Sequence, residues 1–392
     1  MSKSAKLPSV VHIGKYYPPH VGGIESHLRT LCNALRELMD VRVFVAGDER
    51  HDEETVLDGV TVSRHRSRFH IAGAPVCPTM VRNLRRIDAN LVHIHLPNPT
   101  GVLSLLMSGY RGKIVATWHS DVVRQRRLAR LFAPIQRTLL NRCSTIITTS
   151  AAYAESSHEL AAFRDRTTVV PYGIDARVFR HPPQELVAAI RRRYRAPLLL
   201  AVGRLVYYKG FEYLVRAMKR VSGTLVIIGD GPRREALMRE AAASRVGDRV
   251  AFLGEMQPDQ IAPYYHASDL FVLPSIVRSE AFGIVQLEAM AAGKPVINTR
   301  IASGVPLVSL DGVTGITVAP RDDEALQRAI NLLLNDETLR LRYGQAASHR
   351  VDAEFSVDKM VSGVRDLYAG VLDEPAVAPA ARPFRRASRA AL

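Results

Sequence analysis

Cysteine is scarce in this chain. Three residues in 392, Cys32, Cys77 and Cys143, form no even set and show no metal-ligand spacing. A disulfide scaffold and a zinc-finger-type module are thereby excluded, and a reducing compartment is expected. Tryptophan occurs once and aromatic residues make up 6%, so no aromatic-rich platform for stacked nucleobases accompanies the basic runs. No apolar run reaches membrane-spanning length. The stretch MSKSAKLPSVVHIG lacks the apolar core and cleavage site of a signal peptide. A cytoplasmic location is the expectation. No G-x-G-x-x-G follows the first strand-like run, so a dinucleotide fingerprint is unsupported.

What is present is ordinary globular material, 47% hydrophobic and 23% charged. A chain this long exceeds one comfortable core, so two domains are expected. The net charge of +15 is unusual and unevenly placed. Residues 1–180 carry 25 Lys and Arg against 15 Asp and Glu, whereas residues 181–372 carry 24 against 21. The excess peaks between Gly109 and Arg142, with eight basic residues and one acid, Asp121. There Leu128, Leu131, Phe132, Ile135 and Leu139 form an apolar stripe beside Arg124, Arg127, Arg130 and Arg137. Such a helix can pack on a core, rest on anionic lipid or contact nucleic acid.

Strand-like runs at Val10–Gly14, Val41–Ala46, Leu91–His95, Ile114–Thr117, Thr145–Thr149 and Thr168–Val170 alternate with helical patterns such as Ile24–Leu38. A second series follows at Leu198–Val202, Thr224–Ile228, Val250–Leu253, Leu270–Leu273 and Val296–Asn298. Alternation of this kind predicts parallel sheets covered by helices on both faces. PYGIDARVFRHPP, residues 171–183, suits a hinge between domains 1–180 and 181–372. Val357–Leu372 reads as a helix that can pack back on the first domain, and residues 373–392, rich in Pro, Ala and Arg, as a disordered tail.

Ligands bind open parallel sheets at the carboxyl ends of the strands, and the polar residues of interest fall there. SEAFGIVQLEAMAAGKPVI places Glu280 in a loop after a strand and Glu288 in the second turn of the next helix, which Gly293 and Pro295 end. Eight residues of helix rise ~12 Å, too far for a shared proton or metal. The spacing suits hydroxyl groups at opposite ends of one long ligand, with a helix start between them for phosphate. Gly22 and Gly23 open another helix and let a ligand approach the backbone. Arg204 and Lys209 follow the strand LLLAV in an exposed loop, and both can reach one anionic group. In IIGDGPRREAL a tight turn precedes a helix and reads as structural. His119 follows a strand and can meet a sugar hydroxyl, while His93 and His95 read as core or cleft lining.

Together GGIE at Gly22–Glu25, WHSD around His119, VVPYGID at Val169–Asp175, GRLVYYKG with Arg204 and Lys209, and SEAFGIVQLEAMAAGKPVI resemble the retaining glycosyltransferases of family 4. The order and spacing agree from about Val10 to Leu372. SGVPLVSLDGVTGITVAP is similar to members that build bacterial polysaccharides, mannosyltransferases among them. The resemblance implies an α/β GT-B fold, two Rossmann-like doubly wound domains facing across a cleft, with the donor in the second and the acceptor facing the first. It implies that Arg204 and Lys209 neutralise a departing diphosphate and that Glu280 binds donor-sugar hydroxyls. Glu288 would hold the ribose, His119 would lie beside the sugar, and Gly23 would give an amide to phosphate. Phe282, Gly283 and Ile284 would form the phosphate-facing loop, with Met256 nearest the base. No metal and no cofactor is implied, and the acceptor would be a glycan or lipid-linked sugar. A GDP-mannose-type donor is preferred because the nearest-looking relatives use one.

Two rival classes are kept. A basic nucleic-acid-binding module explains the charge but not the four charged residues converging on strand ends. A nucleotide-sugar epimerase on the same fold would turn over donor alone.

Overall fold

The computed structural model describes residues 8–20, 22–47, 51–71, 74–121 and 126–373. The tail and Arg124 lie outside the described residues. The first half contributes β1 (Ser9–Ile13), β2 (Asp40–Ala46), β3 (Glu53–Leu57), β4 (Val60–His65), β5 (Phe69–Ile71), β6 (Ala74–Val76), β7 (Leu91–Leu96), β8 (Lys113–Trp118), β9 (Thr145–Thr148) and β10 (Thr167–Val169). Eight of these form one sheet in the order β10-β9-β8-β7-β1-β2-β4-β3, parallel except for the β3–β4 pair. The second half contributes β11 (Leu198–Val202), β12 (Thr224–Ile228), β13 (Val250–Phe252), β14 (Leu270–Val272), β15 (Val296–Thr299) and β16 (Gly315–Val318), ordered β13-β12-β11-β14-β15-β16 and parallel throughout.

Both sheets are buried on two faces, which is why their strands read as nearly continuous apolar runs. One face of the first sheet packs Val11, Ile13, Val92, Ile94 and Ile114 into a core. The opposite face packs Val10, Val43, Leu91 and Val115 under the helix Gly23–Leu35. The last helix, Val357–Asp373, crosses back to that same face and buries Met360, Val361, Val364 and Tyr368 there. The chain therefore passes between the two halves twice, once after β10 and once into this helix.

β3 and β4 are absent from the expected runs. They meet in a two-residue turn at Asp58-Gly59, both with positive φ (51° and 80°), the geometry of a type I′ hairpin. Strand order reverses direction between β1 and β7 in the first sheet and between β11 and β14 in the second. Ligands of doubly wound sheets bind at such switch points. The basic segment forms the helix Arg126–Arg142. Leu139 and Leu140 are buried, but Leu131 is 76% exposed and Ile135 37% exposed, so its apolar stripe is only partly covered.

Candidate active site

At the second switch point β11 ends in Gly203-Arg204, followed by a single 3-10 turn, Tyr207–Lys209. β14 ends in the loop that carries Glu280 to the helix Ile284–Ala291. Lys209 is buried rather than exposed, which corrects the expectation of a surface loop lysine. Its Nζ lies 2.5 Å from Glu280 Oε2, and the Ser275 hydroxyl donates to the same oxygen at 3.2 Å. Burial alone would lower the lysine pKa, but the Glu280 carboxylate beside it holds it above the ordinary value. The lysine is therefore charged. Both contacts fall on Oε2, leaving the lone pairs of Oε1 for a ligand hydroxyl.

Gly203 makes room for this lysine. Its φ is 145°, and a Cβ there would lie 3.1 Å from the lysine Nζ. Any other residue would be strained in its backbone and would crowd the ammonium. This glycine is a functional position beyond those expected from the sequence. Its signal was a glycine at the mouth of a buried strand, where the backbone approaches a functional side chain closely.

Glu288 sits in the second turn of its helix and accepts a 2.8 Å hydrogen bond from the Tyr265 hydroxyl. Burial raises its pKa to about 6, against the lowering by Tyr265 and by the Lys209 charge. It is not a solvated helix residue, and Lys209 acts on both acids. A ligand that needs the Glu288 carboxylate should bind evenly above about pH 7 and lose about tenfold in affinity per unit below about pH 6. Titration calorimetry with nucleoside diphosphate across that range checks this. Glu288→Gln should bind weakly with no such step.

The helix Ile284–Ala291 starts after Gly283, which has φ 76° and no side-chain cap. Phe282 is buried, its ring 5.1 Å from Tyr172 between centroids, so only its backbone can face a ligand. The start of the helix Gly23–Leu35 lies opposite. A Cβ on Gly23 would be 3.7 Å from Ile284 Cδ1. Two helix amino termini, each with unpaired amides and partial positive charge, thus meet across the cleft. Arg204 is exposed beside them. Its charge acts on Glu25 of the first domain, whose pKa is nonetheless raised by burial. Gly22 is the residue before that first helix. Met256 is half-buried in the loop after β13, packed on the core around β14. One lysine, one arginine and two helix starts converge where an anion would sit, with a carboxylate on either side.

His119 is placed differently from the sequence expectation. It is buried, with Nε2 2.9 Å from His95 Nδ1 and Nδ1 bonded to the Tyr172 hydroxyl. A direct bond to a sugar hydroxyl would require one of these partners to yield. Asp121, two residues on, joins the halves through an ion pair to Arg278 at 3.0 Å. It also accepts from the Trp118 indole at 2.8 Å and the Ser157 hydroxyl at 2.9 Å. Asp121 stands within WHSD, but spacing along the chain gives it no role, because its partner is 157 positions away.

A separate cavity of about 590 Å³ opens in the first domain beside the carboxyl ends of β2 and β4. Tyr16, Tyr17, His20, Arg64 and Ser67 are among its walls. The Tyr17 hydroxyl and Ser67 Oγ are buried and have no hydrogen-bond partner among the described residues. None of the residues described above as converging at the second switch point borders it.

Among the described residues no helix is long and apolar enough to cross a membrane. Residues 184–350 match the family model described as glycosyl transferases group 1, and residues 21–178 match that described as Glycosyltransferase Family 4. The O-antigen chain mannosyltransferase C of Escherichia coli is 31% identical over 368 residues, covering 93% of this chain and 99% of that protein. The GDP-mannose-dependent alpha-(1-6)-phosphatidylinositol monomannoside mannosyltransferase of Mycolicibacterium smegmatis is 31% identical over 356 residues, covering 85% and 91%. The solved structure of sucrose-phosphate synthase from Thermosynechococcus elongatus matches with a TM-score of 0.78 at 23% identity, covering 93% and 99%. That likeness is one of fold.

Proposed function

The chain belongs to family 4 of the glycosyltransferases and has their GT-B fold, and from this premise we propose that it transfers a mannose-like hexose from a GDP-sugar to a glycan or lipid-linked sugar, with retention at the anomeric carbon. The observation that carries the proposal is the convergence of Lys209, Arg204 and two helix starts between Glu280 and Glu288. A diphosphate fits between the cations, a ribose at Glu288 and a hexose at Glu280. The names of the two mannosyltransferase relatives support the choice of sugar, and the GDP-mannose-dependent one supports the choice of base.

In this mechanism the bond from the anomeric carbon to the diphosphate oxygen breaks first. Lys209, Arg204 and the helix amides stabilise the charge that develops there, so no metal is called upon. The acceptor hydroxyl attacks the same face of the sugar, forms the new C–O bond and gives its proton to the departing phosphate. The 590 Å³ cavity in the first domain is of a size for one or two acceptor sugars. Its unpartnered hydroxyls and its tyrosine and histidine rings offer hydrogen bonds and stacking. A thermal-shift series of GDP- and UDP-sugars tests the donor, and proton NMR of the product's anomeric signal tests the stereochemistry. Stabilisation by UDP-sugars alone would overturn the donor assignment, and an inverted product the mechanism.

The exposed Leu131 and Ile135 beside Arg130 and Arg137 favour attachment of the helix Arg126–Arg142 to the inner face of an anionic membrane. Each basic residue near such a surface contributes about 1 kcal/mol. Changing Arg124, Arg127, Arg130 and Arg137 to Gln should release the protein from anionic vesicles in a flotation assay, with activity on a short-chain soluble acceptor retained. Wild-type protein that ignores such vesicles at low salt would leave this helix a surface element only.

A further inference from the structure

Four buried histidines occupy positions on the first sheet where its pattern calls for apolar side chains. His12 lies on β1, His93 and His95 on β7, and His119 just past β8, all on the face under the last helix. They are joined in one row. The Tyr172 hydroxyl bonds His119 Nδ1. His119 Nε2 meets His95 Nδ1 at 2.9 Å, and His95 Nε2 meets His12 Nδ1 at 3.0 Å. His12 Nε2 lies 3.5 Å from the Tyr368 hydroxyl, which meets His93 Nδ1 at 2.5 Å. His93 Nε2 meets Thr117 Oγ1 at 2.6 Å. Tyr172 belongs to the first passage of chain between the halves, and Tyr368 to the second.

Burial holds all four histidines far below their ordinary pKa, His12 at about 3, so they are neutral. A neutral imidazole donates one hydrogen bond and accepts one. That rule leaves two ways to fill the row. Either every histidine carries its proton on Nε2 and the row runs from Tyr172 towards Thr117, or every histidine carries it on Nδ1 and the row runs back. Among His119, His95 and His12 any mixture places two protons, or none, between one pair of rings, and a mixture across Tyr368 leaves either its hydroxyl proton or a ring nitrogen unpaired; an unmade bond at a buried site is costly. In the first order the Tyr172 proton goes to His119. In the second His119 donates to Tyr172, and the Tyr172 hydroxyl proton turns away from His119, on a ring 5.1 Å from that of Phe282.

We propose that His12, His95 and Tyr368 are positioning residues that fix the tautomer of His119, and through it the direction of the Tyr172 hydroxyl, as one proton-ordered unit. This rests on the donor-site assignment above only for its catalytic consequence. The three rings His12, His93 and His95 also bring ligand atoms within 4.8 Å of one another, near enough for a metal ion. Yet each of their nitrogens already has a partner, and the row is complete without an ion.

The two hydroxyls at the ends give opposite, readable effects. Without the Tyr368 hydroxyl, the Nε2 order would leave a buried N–H on His12 unpaired, so Tyr368→Phe should drive His119 to the Nδ1–H form. Without the Tyr172 hydroxyl, the Nδ1 order would leave His119 N–H unpaired, so Tyr172→Phe should drive His12 to the Nε2–H form. Each effect is read at the ring remote from the change, by ¹⁵N NMR of histidine-labelled full-length protein. Conservative loss of one hydroxyl keeps both rings in place, and the unchanged remainder of the spectrum verifies the fold. Remote rings that keep their wild-type tautomers in both variants would overturn the proposal. So would stoichiometric zinc, nickel or copper in the purified protein by mass spectrometry, since a bound ion fixes the tautomers itself. Tyr368→Phe should also lower turnover at saturating donor several-fold while leaving nucleotide affinity unchanged. Moved tautomers with unaltered turnover would uphold the row and instead remove His119 from the catalytic site.

Discussion

Lys209→Ala is expected to lower turnover at saturating donor by about 10²- to 10³-fold, the effect of losing a charge contact that strengthens as the leaving group departs. The same change should destabilise the protein by roughly 3–5 kcal/mol, because it strands Glu280 as an uncompensated buried charge. Both side chains of the pair are about 90% covered, with 9% and 10% exposure, so solvent screening does little to soften that cost. The two losses are separable. Adding Glu280→Gln to Lys209→Ala removes the stranded charge and should restore most of the melting temperature without restoring turnover. Arginine should not substitute at this position. The pocket over Gly203 was shaped for a compact ammonium, and a guanidinium is broader and planar. Near-wild-type turnover in Lys209→Ala would remove this residue from the mechanism. An unchanged melting temperature would show that the ion pair contributes little to the stability of the fold.

That coupling of site to stability was invisible in the sequence, and the reason is physical. Spacing along a chain reports which face of an element a residue occupies, and so the parallel strands, the helix starts at Gly23 and Ile284 and the position of Glu288 could all be read from it. Spacing does not report partners contributed by a different element. Lys209 and Glu280 are 71 residues apart, and only the packing of β11 beside β14 joins them. Tyr265 under Glu288, Arg278 against Asp121 and the histidine row are of the same kind. The alternating His93 and His95 gave a partial signal, since polar residues at apolar positions of a buried strand must find hydrogen bonds somewhere. The hairpin of β3 and β4 was a different omission. Asp58-Gly59 between alternating residues is a local turn signal that needs no knowledge of the fold. The β-α alternation around it speaks for parallel strands only and says nothing of an antiparallel pair at the sheet edge.

The proposed donor site lies at the switch points of both sheets, and this makes its parts separable by experiment. Glu288→Ala should weaken binding of the free nucleoside diphosphate on the order of 10²-fold, since it removes a carboxylate that accepts charge-assisted hydrogen bonds from the ribose. Glu280→Ala should behave in the opposite sense toward the free nucleotide. It releases Lys209 from its partner, so the diphosphate gains an undivided cation and should bind as tightly as in wild type or more so. The intact sugar nucleotide, which loses its hydroxyl contact at Glu280, should bind less tightly to this variant relative to the free nucleotide. Titration calorimetry with the nucleoside diphosphate and with the sugar nucleotide, on both variants, yields four affinities whose pattern decides the matter. Because Tyr265 is buried in the core and bonds Glu288 rather than Glu280, the Glu288 end of the site should stay formed in Glu280→Ala. Equal weakening of the free nucleotide in both variants would mean that the two carboxylates hold one end of the ligand together. The geometry would then have to be reread, with Lys209, whose charge acts on both, as a shared bridge between them.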